Sequence, residues 1–246
     1  YGAMRDLFAD WGALVTQSRA LWPVVQASCV GGTTVINSAI VVRTPGDCFE
    51  RWTREYGIDG EGLSRRVWEH QDRIERELSA EVVPPDARGL SSVLAMDGAE
   101  ALGWKSHYMA RYVHDCEGAG QCLQGCRKGR KQSTNVNYVP EVLERGGFVL
   151  SCAPVARVVF EGTRATAVIG HFKDPASRRD GAPFVVRARH GVLVAASATQ
   201  TPVLLARSGL RSRALGTLFR AHPGTGVFGV YDRPIDQNVG ATQAWA

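Results

Sequence analysis

Apolar residues recur at helical spacing over residues 59–80. Leu63, Val67, Ile74 and Leu78 fall on one face, while Arg65, Arg66, Glu69, Asp72, Arg73, Glu75 and Arg76 cover much of the rest. Such a stripe predicts an amphipathic helix that packs along one side and carries no chemistry. Pro84-Pro85-Asp86 ends it. Residues 92–113 read as another helix. A further one starts near Pro140 and stops at Gly146-Gly147, with proline at the head and glycine past the tail. Residues 1–28 read as a loop and helix segment, in which Trp11, Leu14, Val15, Leu21 and Trp22 are expected to pack in the core or beside a substrate. Arg43-Thr44-Pro45-Gly46-Asp47 is a break.

The second half changes period. Residues 148–150, 155–160, 165–172 and 184–189 read as strands, the last three joined by Glu161-Gly162 and by the polar stretch 173–181. Residues 191–196 form an uninterrupted apolar run, which predicts a strand of a parallel sheet covered on both faces. Thr201-Pro202 starts a short helix over 203–208 that Gly209 closes, and 226–231 reads as the start of another sheet. The order helix, strand, strand meander, strand, helix predicts an α/β nucleotide-binding fold.

At 246 residues the chain is long enough for one large domain or two small ones. No apolar run approaches the roughly 20 residues of a membrane span, and residues 1–14 contain no signal-peptide block. The net charge is +5. Basic residues cluster at 127–131, at Arg178-Arg179 and, more loosely, at Arg207, Arg211, Arg213 and Arg220. They read as solvated surface, or as attraction for an anionic cofactor or partner. Nucleic-acid binding would interleave aromatics or carry a reader motif, and neither is present. The six cysteines are too sparse for a secreted disulfide framework, which favours a reducing compartment such as the cytoplasm.

The most informative run is Gly31-Gly32-Thr33-Thr34-Val35-Ile36-Asn37. Two glycines let backbone approach a bulky anion. Thr33 and Thr34 follow as helix N-caps, and an apolar stretch (Val35, Ile36, then residues 39–42) continues as a buried helix would. A glycine turn opening a helix offers a phosphate free N–H groups and the positive end of a dipole.

Three further stretches join this run in a resemblance to the glucose-methanol-choline (GMC) family of FAD-dependent oxidoreductases. Residues 31–37 are similar to the family's first signature. Residues 195–205, followed by Arg207-Ser208-Gly209-Leu210, resemble its second. Gly125-Cys126 with Lys131-Gln132-Ser133, and Val155-Ala156-Arg157-Val158, complete the set in family order. The chain departs from the pattern at Ser197 and Cys29, where glycine is frequent in the family.

The resemblance implies an FAD-binding nucleotide fold with a three-stranded β-meander, plus part of a substrate-binding domain. The implied organisation is a flavin-contacting segment at 1–58, a helical substrate-side segment at 59–114, a cysteine-rich loop at 115–131, the FAD-domain continuation at 132–219 and the start of the substrate-domain sheet at 220–246. It implies oxidation of a small-molecule alcohol by hydride transfer to flavin, with electrons passing to oxygen or to an electron-transfer partner. Gly31, Gly32, Thr33 and Thr34 would contact the cofactor. Asn37 and Ser38 would lie near the ribityl or ring edge, and Val155, Ala196 and Ser197 would line the adenosine half. The double-glycine bend and the Ala195-Ala196-Ser197 bend would grip one dinucleotide. Full-length members begin with a G-x-G-x-x-G turn and end with a catalytic histidine segment. Neither is found between Tyr1 and Ala246, so the chain reads as an internal fragment with no catalytic base assigned. His70, His107, His114, His171, His190 and His222 all read as structural.

Cys116, Cys122 and Cys126 form a C-x5-C-x3-C loop in which glycines at 118, 120 and 125 permit three thiolates to converge. Thiolates suit iron–sulfur clusters or zinc. Three would suit a three-iron cluster, as in bacterial family members that feed a cytochrome; zinc would need His114 or Cys152 as a fourth ligand. The alternatives are cysteines packed as small hydrophobes, or a disulfide. A non-catalytic or electron-transfer module with an iron–sulfur site is the rival function.

Overall fold

The structure, a computed structural model, describes residues 2–17, 21–221, 226 and 228–246. They fall into two units, Tyr1–Val149 with Val230–Ala246, and Leu150–Gly229.

The first unit opens on α1 (Gly2–Leu7) and a 3-10 turn at Ala9–Gly12. The chain beyond is held by backbone pairing, Ala9 N–H to the Gln26 carbonyl and Val24 N–H to the Leu14 carbonyl, each at 2.8 Å. Trp11, Val15, Leu21 and Trp22 are exposed, which rules out the core half of their expected placement, in the core or beside a substrate. Helix α2 (Gly46–Tyr56) starts directly after the break at Pro45, where the sequence reading placed no helix. Its Gly57 turns left-handed at φ +66, and α3 (Gly60–Glu77) folds back on it. The hairpin closes on Phe49, which meets Trp52 and Trp68 edge-on at 5.4 and 5.6 Å between ring centroids.

The amphipathic stripe thus finds its helix. The cap is Asp59, whose side chain accepts from the Gly62 N–H at 3.0 Å. Loss of such a cap destabilises by about 1 kcal/mol. We expect Asp59→Ala to lower the urea midpoint of the protein by that equivalent; an unchanged midpoint would remove the capping role.

Helix α3 ends before the prolines because Ser79, at φ +49, turns the chain into strand β1 (Ala80–Val82). Helix α4 (Leu90–Ala101) covers only the first half of the helix expected at 92–113. Gly103, at φ +69, ends the run, and the chain then pairs as β2 (Ala110–Tyr112). His107 is therefore outside any helix, bonded through its backbone to Ala246. Strands β1 and β2 are antiparallel, with Ala80 opposite Tyr112 and Glu81 opposite Arg111; Ile40 bridges Arg111 from the other side. Val83, Ala87, Ala241 and Ala244 form a small apolar core against which Cys116 packs. Helix α5 (Tyr138–Glu144) ends at Gly146 (φ +77) as expected. The strand expected at 148–150 does not form; Phe148 is 90% exposed.

The second unit holds the expected meander. Strands β3 (Val155–Glu161), β4 (Arg164–Lys173) and β5 (Asp180–Arg187) are antiparallel in the order β3-β4-β5, with Val158 opposite Val168 and Val168 opposite Val186. Helix α6 (Ser197–Arg207) packs on β3, and the Ser208 hydroxyl accepts from the Val158 N–H at 2.8 Å. It starts four residues before the helix expected from Thr201-Pro202, so Pro202 lies inside it; Gly209 closes it at φ +90.

Residues 191–196 form no strand, and Leu193 is 95% exposed. An apolar run becomes a strand only where a neighbour supplies the hydrogen-bond ladder, and none does among the described residues. Both sheets found there are antiparallel. No strand forms at 226 or 228–231 either. His222 and Pro223 lie outside the described residues. The class is α/β, with helices beside small antiparallel sheets.

Candidate functional site

Gly31 and Gly32 adopt φ +97 and +57, and the Gly32 N–H bonds back to the Cys29 carbonyl at 3.0 Å. A single 3-10 turn follows, Gly32–Val35, with Gly31 at its N-cap. The buried helix expected from Val35 onward is absent. Thr33, Thr34, Val35 and Ile36 are β-branched and poor helix formers. The Asn37 side chain then accepts from the Ala39 N–H at 3.0 Å, breaking the helical path. Thr33 and Asn37 are exposed, while Val35 and Ile36 are buried. Thr34 caps no helix; its hydroxyl turns back onto the Gly31 carbonyl at 2.6 Å.

The two glycines have different surroundings. A Cβ at Gly31 would lie 2.7 Å from Val35 Cγ2 and 2.9 Å from Asn135 Cβ, whereas one at Gly32 would meet nothing within 4 Å. Gly32 therefore presents open backbone on one face of the turn.

The turn's carbonyls are held by Lys131, from the basic cluster, and by Thr134 and Arg111, to which the sequence reading gave no role. Lys131, 2% exposed, donates from Nζ to the carbonyls of Val35 (2.6 Å), Asn37 (2.9 Å) and Cys122 (2.7 Å). Burial pushes its pKa down to about 8. Thr134 donates its hydroxyl to the Gly31 carbonyl at 2.9 Å, and its N–H bonds the Thr34 hydroxyl at 3.1 Å. Arg111, fully buried, donates from Nη2 to the Ser38 carbonyl and to Cys122 Sγ; among the described residues its Nε and Nη1 have no hydrogen-bond partner. The rest of the basic cluster behaves as read: Lys128 and Arg130 pair with exposed Glu117, whose carboxyl they hold below its usual range. Nothing in local composition separates Lys131 from its neighbours. Its difference comes from contacts some 95 positions away.

The cysteine loop does not gather three thiols. Among the described residues no group of three or more His, Cys, Asp or Glu side chains is placed to hold a metal ion. Cys116 faces the apolar core, and burial raises its thiol pKa. For Cys122 burial also acts upward, but the Arg111 charge and bonds from Thr242 and Arg111 outweigh it and lower the pKa. Cys126 Sγ accepts from the Lys131 N–H at 3.4 Å. The described residues thus lend the expected metal site at Cys116, Cys122 and Cys126 no support, and each thiol has a different set of neighbours. The glycines serve another purpose. A Cβ at Gly118 would sit 2.9 Å from the Ala87 backbone, and one at Gly120 would overlap the Asn238 carbonyl.

In the second unit, Val155, Val158, Val168, Ala196, Val203 and Arg207 line part of a cavity of about 370 Å³. Two of the residues expected at the adenosine half, Val155 and Ala196, thus face one space. Ser197, next to them, sits at φ +78, a conformation that glycine adopts without strain. Its hydroxyl lies 3.0 Å from that of Thr199 and accepts from the Gln200 N–H.

Each unit thus offers a feature of its own. Open glycine backbone admits a bulky anion, and the cavity offers mostly apolar walls with one cationic side chain to a purine-sized group.

Comparison with known proteins points the same way. A protein-family model described as GMC oxidoreductase matches residues 4–224. The GMC-type oxidoreductase y4nJ of Sinorhizobium fredii is 35% identical over 232 residues, 93% of this chain and 45% of that protein. The GMC-type oxidoreductase Rv0492c of Mycobacterium tuberculosis is 34% identical over 233 residues, 93% of this chain and 35% of that protein. The long-chain-alcohol oxidase FAO4B of Arabidopsis thaliana is 25% identical over 230 residues, 90% of this chain and 30% of that protein. The chain spans less than half the length of these curated relatives.

Proposed function

We propose, from the premise that this chain belongs to the GMC oxidoreductase family, that it supplies part of the FAD site of an enzyme oxidising an alcohol CH–OH group. The observation that carries the reading is the turn at 31–37, whose Gly32 face is open while its carbonyls are tied down on Lys131, Thr134 and Thr34.

Bound FAD supplies the hydride acceptor, the flavin N5. The chain's own residues bind and orient. Gly31, Gly32, Thr33 and Thr34 offer backbone and hydroxyl groups to the flavin and pyrophosphate portion. Asn37 and Ser38 would stand beside the ribityl or ring edge. Val155, Ala196 and Ser197 take the adenosine portion. Arg111 and Lys131 place two positive charges at the carbonyls of residues 35–38, in the sense that favours a phosphate ligand nearby. No residue of this chain is assigned as the base that removes the hydroxyl proton.

A long aliphatic alcohol is the favoured substrate class, on the strength of the names of the plant relatives. Electrons would pass on to oxygen or to a redox partner. In the test, a protein that joins this chain to the remaining segments its GMC relatives possess, incubated with FAD and desalted, should show paired bands in the near-UV and blue. Anaerobic addition of a primary alcohol should then bleach the blue band. Failure to retain FAD, or retention without bleaching by alcohols of any chain length, would overturn the proposal.

A further inference from the structure

Among the described residues neither Lys131 nor Arg111 pairs with a carboxylate, although both are buried. Burying an ammonium is unfavourable unless its donors are satisfied, and an apolar side chain would fill the same space without that penalty. Lys131 therefore calls for an explanation beyond packing. The charged amine has three N–H donors, and it has three carbonyl acceptors. Two belong to the turn and the third to Cys122. The bonds are charge-assisted, the stronger kind. Three residues further along, Thr134 holds the Gly31 carbonyl at the other end of the same turn.

The segment 131–134 thus grips both ends of the turn, while none of its atoms comes within 4 Å of where a Gly32 Cβ would stand. We propose that Lys131 and Thr134 are positioning residues for the dinucleotide: by drawing the carbonyls of Gly31, Val35 and Asn37 inward, they set the backbone of the turn so that its open Gly32 backbone meets the ligand. The inference rests on the reading of that turn as part of the FAD site. It assigns the work of binding to two side chains that need not touch the ligand. The ligand sees Gly32, and Gly32 is where it is because of residues about a hundred positions later.

The experiment measures the FAD dissociation constant by flavin fluorescence, and the melting temperature without FAD, for the unaltered protein and for Lys131→Met, Thr134→Val and Thr134→Ser. Thr134→Val keeps shape and loses one neutral donor, so affinity should fall roughly tenfold. Thr134→Ser restores the donor and should recover to within about twofold. Lys131→Met loses the charged donors and should weaken binding by roughly a hundredfold. A purely structural role would lower the melting temperature and leave the folded fraction's affinity unchanged, and that result overturns the proposal. If Lys131→Met does not fold, the Thr134 pair decides: equal affinities for valine and serine overturn it. If the unaltered protein takes up no FAD, the reading of the turn falls and takes this inference with it. If the unaltered protein binds FAD and all variants match it, only the positioning role falls.

Discussion

Gly32→Val is expected to abolish FAD retention while leaving the fold standing. A Cβ at Gly32 meets no protein atom within 4 Å, so a valine side chain starts into open space and occupies volume available to a ligand. The backbone there is left-handed at φ +57, which a β-branched residue adopts only with strain of about 1–3 kcal/mol. That strain lowers the melting temperature by a few degrees. Displacing backbone from a pyrophosphate removes several charge-assisted bonds together, and affinity should fall more than about a hundredfold. Flavin absorbance after gel filtration, read beside a thermal melt, separates the two effects. Full flavin content in a folded Gly32→Val protein would exclude the turn from the cofactor site. Gly31 would not serve for this test, because its Cβ would strike Val35 and Asn135 and disturb the turn itself.

Gly120→Ala should be the most damaging single methyl in the cysteine loop. Its Cβ would overlap the Asn238 carbonyl oxygen, and φ is +66. Backbone cannot step aside as a flexible side chain can. Here it is also fastened: Gly240 N–H bonds the Gly118 carbonyl, and Ala241 N–H bonds that of Ala87, both at 2.8 Å. Those bonds hold residues 238–241 over the core of Val83, Ala87, Ala241 and Ala244. Overlap plus strain puts the loss at about 3 kcal/mol or more. Urea denaturation should show the midpoint falling accordingly. A variant as stable as the parent would mean that glycine is not required for this close approach.

Much of the fold could be read from period alone. Helix α3 and the meander β3-β4-β5 carry clean 3.6- and 2-residue patterns, and both lie close to where those patterns put them. Failures occurred where an element depends on a distant partner. Residues 191–196 have the composition of a buried strand, but composition does not supply the neighbour that a ladder needs. Residues 33–36 looked like a helix start because the capping residues were right, yet β-branching and the Asn37 turn stop the helix after one turn. At the candidate site the glycine turn was legible, since glycine pairs announce themselves. Lys131, Thr134 and Arg111 were not, because burial of a cation follows from tertiary contacts that leave no local trace.

The hydroxyl bonds between Thr134 and the turn join positions 100 and 103 residues apart. A short 3-10 segment rich in β-branched side chains has little tendency to form alone. Its shape must therefore wait for closure of a loop about a hundred residues long, one of the slower events a chain of this size undergoes. Helices α2 and α3, which need only each other, can assemble well before it. The bend proposed to meet FAD is accordingly among the last regions to mature during folding, and its backbone is finished only after both distant halves of its scaffold have been synthesised.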